Sequence, residues 1–164
     1  MKMIVAADQN WGIGNQNELL VSIPNDMKFF RTMTTGHVIV MGRHTLESFP
    51  QGRPLKNRLN IVLTRNPAFQ AEGAIVIHDL PELKEYLDRH CRDEEVFCIG
   101  GESIYRQLLP LTDTVYVTKI DRTYQADAYF PNLDQDPDFE IAEESEEYTY
   151  FDMTYHFLTY RRKK

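Results

Sequence analysis

Cysteine is scarce in this chain, with two in 164 residues. Cys91 and Cys98 form neither a CxxC pair nor any other metal-ligand spacing, so both read as reduced thiols, Cys98 inside an apolar run that marks core. No stretch approaches the roughly 20 apolar residues that a membrane span needs. The opening Met1-Lys2-Met3-Ile4-Val5-Ala6-Ala7-Asp8 meets an acid too early for the apolar centre of a signal peptide, so the expected compartment is the cytoplasm. A surplus of positive charge is missing as well. The formal net charge of −7 disfavours nucleic acid or an anionic membrane as partner. It still admits an anionic substrate, because a few arginines can reverse the sign inside a cleft. Internal repeats, low-complexity tracts and linkers are absent too, so residues 1–164 read as one domain, of a size that buries about two-thirds of its unfolded surface.

What is present is an alternation. Apolar runs rich in β-branched residues at 3–7, 38–41, 60–63, 74–77, 96–99 and 115–120 have the character of strands buried on both faces. Helical patterns lie between them. Pro24 suits a first helical turn over residues 24–31, and Asp79 can cap a helix in which Leu80, Leu83, Tyr86 and Leu87 share one face. Residues 102–109 follow a Gly-Gly pair. Strands alternating with helices predict an α/β fold: a mainly parallel, mixed central sheet of about eight strands with helices on both faces. After Phe130 the helical patterns stop, and residues 139–143 and 149–160 read as two longer antiparallel strands that close the sheet as a C-terminal hairpin. The acidic run Glu143-Glu144-Ser145-Glu146-Glu147 and the terminal Arg161-Arg162-Lys163-Lys164 read as solvated surface.

Three places resemble phosphate cradles. Gly42-Arg43-His44-Thr45 follows a strand and opens a short helix, where free amides, a cation and a hydroxyl suit a pyrophosphate. Gly100-Gly101-Glu102-Ser103 is a second strand-to-helix turn whose glycines let the backbone approach a ligand. Thr64-Arg65-Asn66 follows the strand ending at Leu63. None is GxGxxG, and each taken singly reads first as a tight βα turn or plain loop. Asp26 sits one turn into a helix among apolar neighbours. On pattern alone it is a first-turn acid favoured by the helix dipole, though it could also bind an amidine-like ring from the wall of a cleft. Arg58, just before a strand, is by default a surface cation, able to clamp a carboxylate bidentately.

Eight segments taken together resemble dihydrofolate reductase, in that family's order and spacing and over nearly the whole chain. They are Val5-Ala6-Ala7-Asp8, Trp11-Gly12-Ile13-Gly14, Ile23-Pro24-Asn25-Asp26-Met27-Lys28-Phe29-Phe30, Val40-Met41-Gly42-Arg43-His44-Thr45-Leu46-Glu47-Ser48-Phe49, Arg53-Pro54-Leu55, Arg58-Leu59-Asn60-Ile61-Val62-Leu63-Thr64, Ile99-Gly100-Gly101 and Tyr116-Val117-Thr118-Lys119-Ile120-Asp121.

The resemblance implies NADPH-dependent reduction of dihydrofolate by a chain that acts as a monomer on small molecules, including antifolates. Ile4, Val5, Ala6, Met27, Phe30 and Ile99 would line the pterin slot, with Asp26 binding the ring's amidine-like edge and Thr118 bonded to that acid. Phe49 and Leu55 would hold the aromatic ring of the substrate, and Arg58 the carboxylate of its glutamyl tail. Tyr105 would pack near the nicotinamide, whose carboxamide would meet the backbone of Ala6 and Ile13. The pyrophosphate would lie on Gly42, Arg43, His44, Thr45, Gly100, Gly101, Glu102, Ser103 and Ile104, beside Leu63 and Ile99. Arg43, Thr64 and Arg65, with His78 on the same edge, would surround a 2′-phosphate, which favours NADPH over NADH. Asp26, Thr118 and Tyr105 form the implied catalytic set, and no metal is expected.

Two departures stand out. Leu20-Val21 occupies the place of the family's usual Pro-Trp, so the indole donor that helps hold an active-site water is missing. Trp11 instead enters the loop 9–21, expected as a mobile lid on Gly12 and Gly14, where it should pack against loop or cofactor. A same-fold pyrimidine reductase of riboflavin synthesis and a non-catalytic dinucleotide-binding module are the competing readings.

Overall fold

In the computed structural model, which describes residues 1–164, the chain runs β1 (Lys2–Ala7), β2 (Gly12–Asn15), β3 (Glu18–Leu19), α1 (Pro24–Thr34), β4 (Val38–Gly42), α2 (Arg43–Glu47), β5 (Leu59–Leu63), β6 (Ala74–Ile77), α3 (Leu80–His90), β7 (Val96–Cys98) and α4 (Glu102–Leu108). It continues through β8 (Thr114–Ile120), β9 (Ala128–Tyr129), β10 (Phe139–Glu144), β11 (Tyr148–Tyr150) and β12 (Met153–Arg162). The main sheet has the order β10-β12-β8-β1-β7-β4-β5-β6, with β11 beside β12. From β8 to β6 every pairing is parallel, and β12 and β10 join antiparallel at one edge. The central runs are buried at almost every position, as strands covered on both faces require; Ile39, Val40, Met41, Ile61, Val62 and Phe97 expose nothing.

Parallel pairing brings the carboxyl ends of β4, β5 and β7 to one edge of the sheet, so the turns at Gly42, Thr64 and Gly100 emerge together. Asp79 caps α3 as expected, its carboxylate accepting the Glu82 amide at 2.8 Å. α1 begins at Pro24 with no side-chain cap on Ile23, and continues past residue 31 to Thr34, whose hydroxyl donates to the Phe30 carbonyl.

Four expectations change in detail. Residues 149–160 are two strands, split by a turn at Phe151–Asp152 in which Phe151 takes a left-handed φ of 54°. The outer edge of β12 is therefore shared, β11 covering its first half and β10 its second. Strand β7 stops at Cys98, leaving Ile99 in the turn toward α4. The segment 9–21, expected as a loop, carries strands: β2 pairs with β3 and, more than 110 residues on, with β9, making a second, three-stranded sheet. Trp11, expected against loop or cofactor, lies in the main core, stacked on Phe130 at 6.0 Å with its edge against Tyr160 at 5.7 Å.

Candidate active site

The site forms where the first turn of α1 crosses the sheet. Ala6 of β1 is paired in register with Thr118 of β8, which puts the threonine hydroxyl beside the strand that carries Ile4. Thr118 is buried and donates to Asp26 Oδ1 at 2.5 Å, joining residues 92 apart. Burial pushes the Asp26 carboxyl above the usual carboxylate range, while the Thr118 hydrogen bond pulls the other way. A lone acid in an apolar wall, with one oxygen fixed by a hydroxyl, is suited to accept paired N–H groups from a flat heterocycle.

The apolar wall is continuous. Ile4, Phe30, Phe49, Leu55 and Ile99 belong to one cluster, built on Ile39, Met41 and Phe97. Met27, expected in the slot, is outside this cluster: it is about half exposed, and its sulfur accepts from the Ser22 hydroxyl. Val5 differs: strand alternation turns its side chain into the other cluster with Tyr105 and Leu63, so toward Ile4's face it offers only main chain. The Tyr105 hydroxyl donates to the Ile4 carbonyl at 2.8 Å. Burial, with smaller contributions from Cys98 and Asp26, holds the phenol well above its ordinary pKa, so Tyr105 stays protonated as a donor and ring wall.

At the far end of α1 stands Arg58, its Nε donating to the Lys56 carbonyl and its Nη1 to Thr34 Oγ1 at 3.2 Å. Burial, then the nearby positive charge of Arg31, weakens its hold on its proton. A guanidinium crowded by a second cation gains from an anion, and Arg31 drew no attention as a partner in the sequence. Asn60 was also missed as a support. Fully buried, it bonds the main chain of Leu55 twice and the Arg58 carbonyl once, fixing the loop that presents both residues. Asp26 and Thr34 lie eight residues apart on one helix, roughly 12 Å along its axis. A ligand reaching both ends must be elongated, with an amidine-like ring at one end and a carboxylate at the other.

The glycine turns adjoin one another. The Gly42 amide donates to the Gly100 carbonyl at 2.8 Å, and Gly101 faces Thr45 Oγ1. Gly100 has φ +109°, and a Cβ there would stand 2.9 Å from the Tyr105 ring, so this position admits glycine alone. Neither α2 nor α4 has a side-chain cap, leaving first-turn amides beside the two turns free for phosphate oxygens. Glu102, in the first turn of α4, has its carboxylate engaged by the Tyr129 amide; His44 is open to solvent. Arg43 lies over the Phe69 ring and pairs with Glu47. His78 Nδ1 bonds the Thr64 carbonyl at 2.9 Å, so Thr64 and His78 share an edge, with Arg65 next in the chain. The residues present therefore fit a dinucleotide with an added phosphate.

The segment 9–21 covers this region and is tied down by its neighbours. Asp8 is buried and accepts main-chain N–H groups from Asn10, Gly12 and Tyr124 at 2.8–2.9 Å. The Gln16 amide donates to Asp127, and Asn17 to the His44 carbonyl. Ala6, Ile13, Leu20, Val21 and Ile120 line a small recess beneath it. A larger cavity of about 270 Å³ lies at the opposite, amino-terminal ends of β4 and β5; of the predicted site residues it shares only Arg58.

Comparison with known proteins points to one family. The family model of dihydrofolate reductase matches residues 1–162. A Bacillus subtilis dihydrofolate reductase is 39% identical over 166 residues, covering 99% of this chain and 95% of the relative. A Staphylococcus aureus dihydrofolate reductase is 37% identical over 142 residues, covering 87% and 84%. Among solved structures, dihydrofolate reductase from Enterococcus faecalis complexed with NADP(H) and RAB-propyl superposes with a TM-score of 0.87 at 35% identity, covering 99% of this chain and 96% of that one.

Proposed function

The chain belongs to the dihydrofolate reductase family, and from that premise we propose how its own residues divide the work of reducing 7,8-dihydrofolate to tetrahydrofolate. NADPH is the cofactor and, when bound, supplies the hydride. One observation carries the assignment of roles: a half-buried acid, Asp26, bonded to Thr118 beside an apolar slot, with Arg58 at the far end of the same helix.

In this reading Asp26 accepts hydrogen bonds from the pterin's amidine-like edge and orients the ring against Ile4, Phe30 and Ile99. Hydride addition to the C=N bond leaves a nitrogen that must gain a proton. A carboxylate held beside the ring favours the protonated imine, and water can deliver the proton. Tyr105 and the Ile4 carbonyl it grips form the wall behind the reacting face. Phe49 and Leu55 hold the middle of the substrate; Arg58, with Arg31 near it, binds the tail carboxylate. Gly42 to Thr45 and Gly100 to Ile104 cradle the pyrophosphate, and Arg43, Thr64, Arg65 and His78 take the 2′-phosphate. Antifolates that mimic the pterin edge would bind at Asp26. A monomer of one domain, acting on small molecules in the cytoplasm, completes the reading; the net charge of −7 speaks against polyanionic partners.

The test is an assay of NADPH oxidation by purified protein. Oxidation should require dihydrofolate, and NADH should support it far more weakly. Equal rates with the two cofactors would remove the roles given to Arg43 and Arg65.

A further inference from the structure

We infer that Asn25 and Tyr155 are positioning residues for Asp26, a reading that rests on Asp26 being the acid that binds the substrate ring. α1 begins without a side-chain cap, and the local bond to its first turn, from the Ser22 hydroxyl to the exposed Met27 sulfur, leaves the rotation of that turn about the helix axis to its contacts with the sheet. That rotation decides where Asp26 points. Two contacts with the sheet set it instead, made by consecutive residues. Asp26 accepts from Thr118 on β8, and Asn25 Nδ2 donates to the Tyr155 hydroxyl on β12 at 3.1 Å, across 130 residues of sequence.

The two contacts lie on one face of the sheet. Tyr155 pairs in register with Ile120 and Phe157 with Thr118, so alternation places all four side chains toward α1. On the helix, Asn25 and Phe29 are one turn apart and form a single stripe. Phe29 rests on Phe157 with ring centroids 4.9 Å apart, while Asn25 reaches Tyr155. The stripe holds the helix to β12, and the adjacent stripe of Asp26 and Phe30 is thereby turned into the cleft. Tyr155 is 2% exposed and its ring is wedged between Tyr148, at 5.7 Å and nearly parallel, and Phe157, at 5.7 Å and perpendicular. Its hydroxyl is thus a fixed point, whereas Asn25 is exposed apart from this bond. Catalytic groups lose rate when freed by fractions of an ångström, so a tether on the preceding residue bears on the chemistry without touching substrate.

The experiment compares Tyr155→Phe, Asn25→Ala and their double variant, each also combined with Asp26→Asn. Hydride transfer is measured in single turnovers across pH, with KM for both substrates and thermal midpoints. Tyr155→Phe and Asn25→Ala should each slow hydride transfer about three- to tenfold near neutral pH, the effect of one lost hydrogen bond. The inflection of the rate–pH profile should move, while KM for NADPH stays put and the melting midpoint falls by no more than about 6 °C, the worth of one hydrogen bond. The double variant should be no slower than the slower single one, and Tyr155→Phe should change nothing further once Asp26 is Asn. Unchanged single variants, additive losses, or equal losses in the Asp26→Asn background would overturn the inference while leaving Asp26 its role. An unimpaired Asp26→Asn would remove that role and the inference with it. Should Tyr155→Phe fold poorly, Asn25→Ala, at an exposed helix position, decides alone.

Discussion

The two ends of the cleft are built from different material. Around Asp26 the contacts run between side chains, or from side chain to main chain, over long sequence distances: Thr118 to Asp26, Asn25 to Tyr155, Tyr105 to the Ile4 carbonyl. Around the proposed phosphate rim the main chain itself makes the site, through Gly42 bonded to Gly100, Thr64 to Ile77 and the uncapped first turns of α2 and α4. At the acid end, then, one atom can be exchanged without moving the backbone, so chemistry and fold are separable. At the phosphate end a new side chain displaces the backbone that forms the site, and binding and stability fall together.

The largest expected effect tests the separable end. Asp26→Asn should lower hydride transfer at neutral pH by about 10²-fold or more, with partial recovery in acid as solvent protonates the substrate. The same variant should gain stability. Because the folded chain holds the Asp26 pKa above its ordinary value, the carboxyl favours folding below its unfolded pKa, and that contribution is lost as pH rises through the folded one. Urea curves should therefore show Asp26→Asn more stable than the parent at neutral pH and equal to it in acid. A variant both inactive and less stable would mean that fold and chemistry are coupled here after all.

Arg58→Leu comes next. Loss of a charge-assisted contact to the tail carboxylate should raise KM for dihydrofolate by about tenfold or more, leave KM for NADPH in place, and hardly affect a pterin without the glutamyl tail. Equal losses for both substrates would point to damage in the loop that Asn60 supports. Gly100→Ala probes the other end. With φ at +109° and the Tyr105 ring 2.9 Å from the new Cβ, it should cost about 1–3 kcal/mol of stability and weaken NADPH binding in parallel. A stable variant with normal NADPH affinity would break the contrast between the two ends. The smallest effect is expected at Val21, half-buried against Ile23, Ile120 and Tyr155. One absent neutral hydrogen bond is worth about 0.5–1.5 kcal/mol, so Val21→Trp should change hydride transfer by no more than about tenfold where the ring is accommodated.

How far the sequence could be read follows the same divide. The buried parallel strands were legible because β-branched runs have few other uses, and Asp79 because a cap acts within three residues. The break at Phe151 was not: the alternation of residues 149–160 carries straight through it, with no glycine, proline or asparagine to announce a left-handed turn. The small sheet escaped because its strands have two to four residues and its partner β9 lies more than 110 residues away. Asp26 was visible, but on pattern alone it was a first-turn acid. Its meaning comes from Thr118, and only tertiary structure or family resemblance joins the two. Asp8, Arg31 and Asn60 show the same limit, each acquiring a role from neighbours that a local window cannot contain.

The position of β1 has a consequence for how the chain folds. Residues 2–7 are synthesised long before their hydrogen-bonded neighbours on both sides, residues 96–98 and 114–120. Until then an apolar strand edge stays unpaired, the kind of segment that recruits other chains. Pairings of such long sequence separation pay their loop-closure entropy before any contact rewards it, which slows folding. The strand bearing Ile4 and Ala6 is therefore completed late, and ligand binding can begin only after β8 has docked. Ligand added during refolding should accelerate none of the early collapse and should capture only the last species formed.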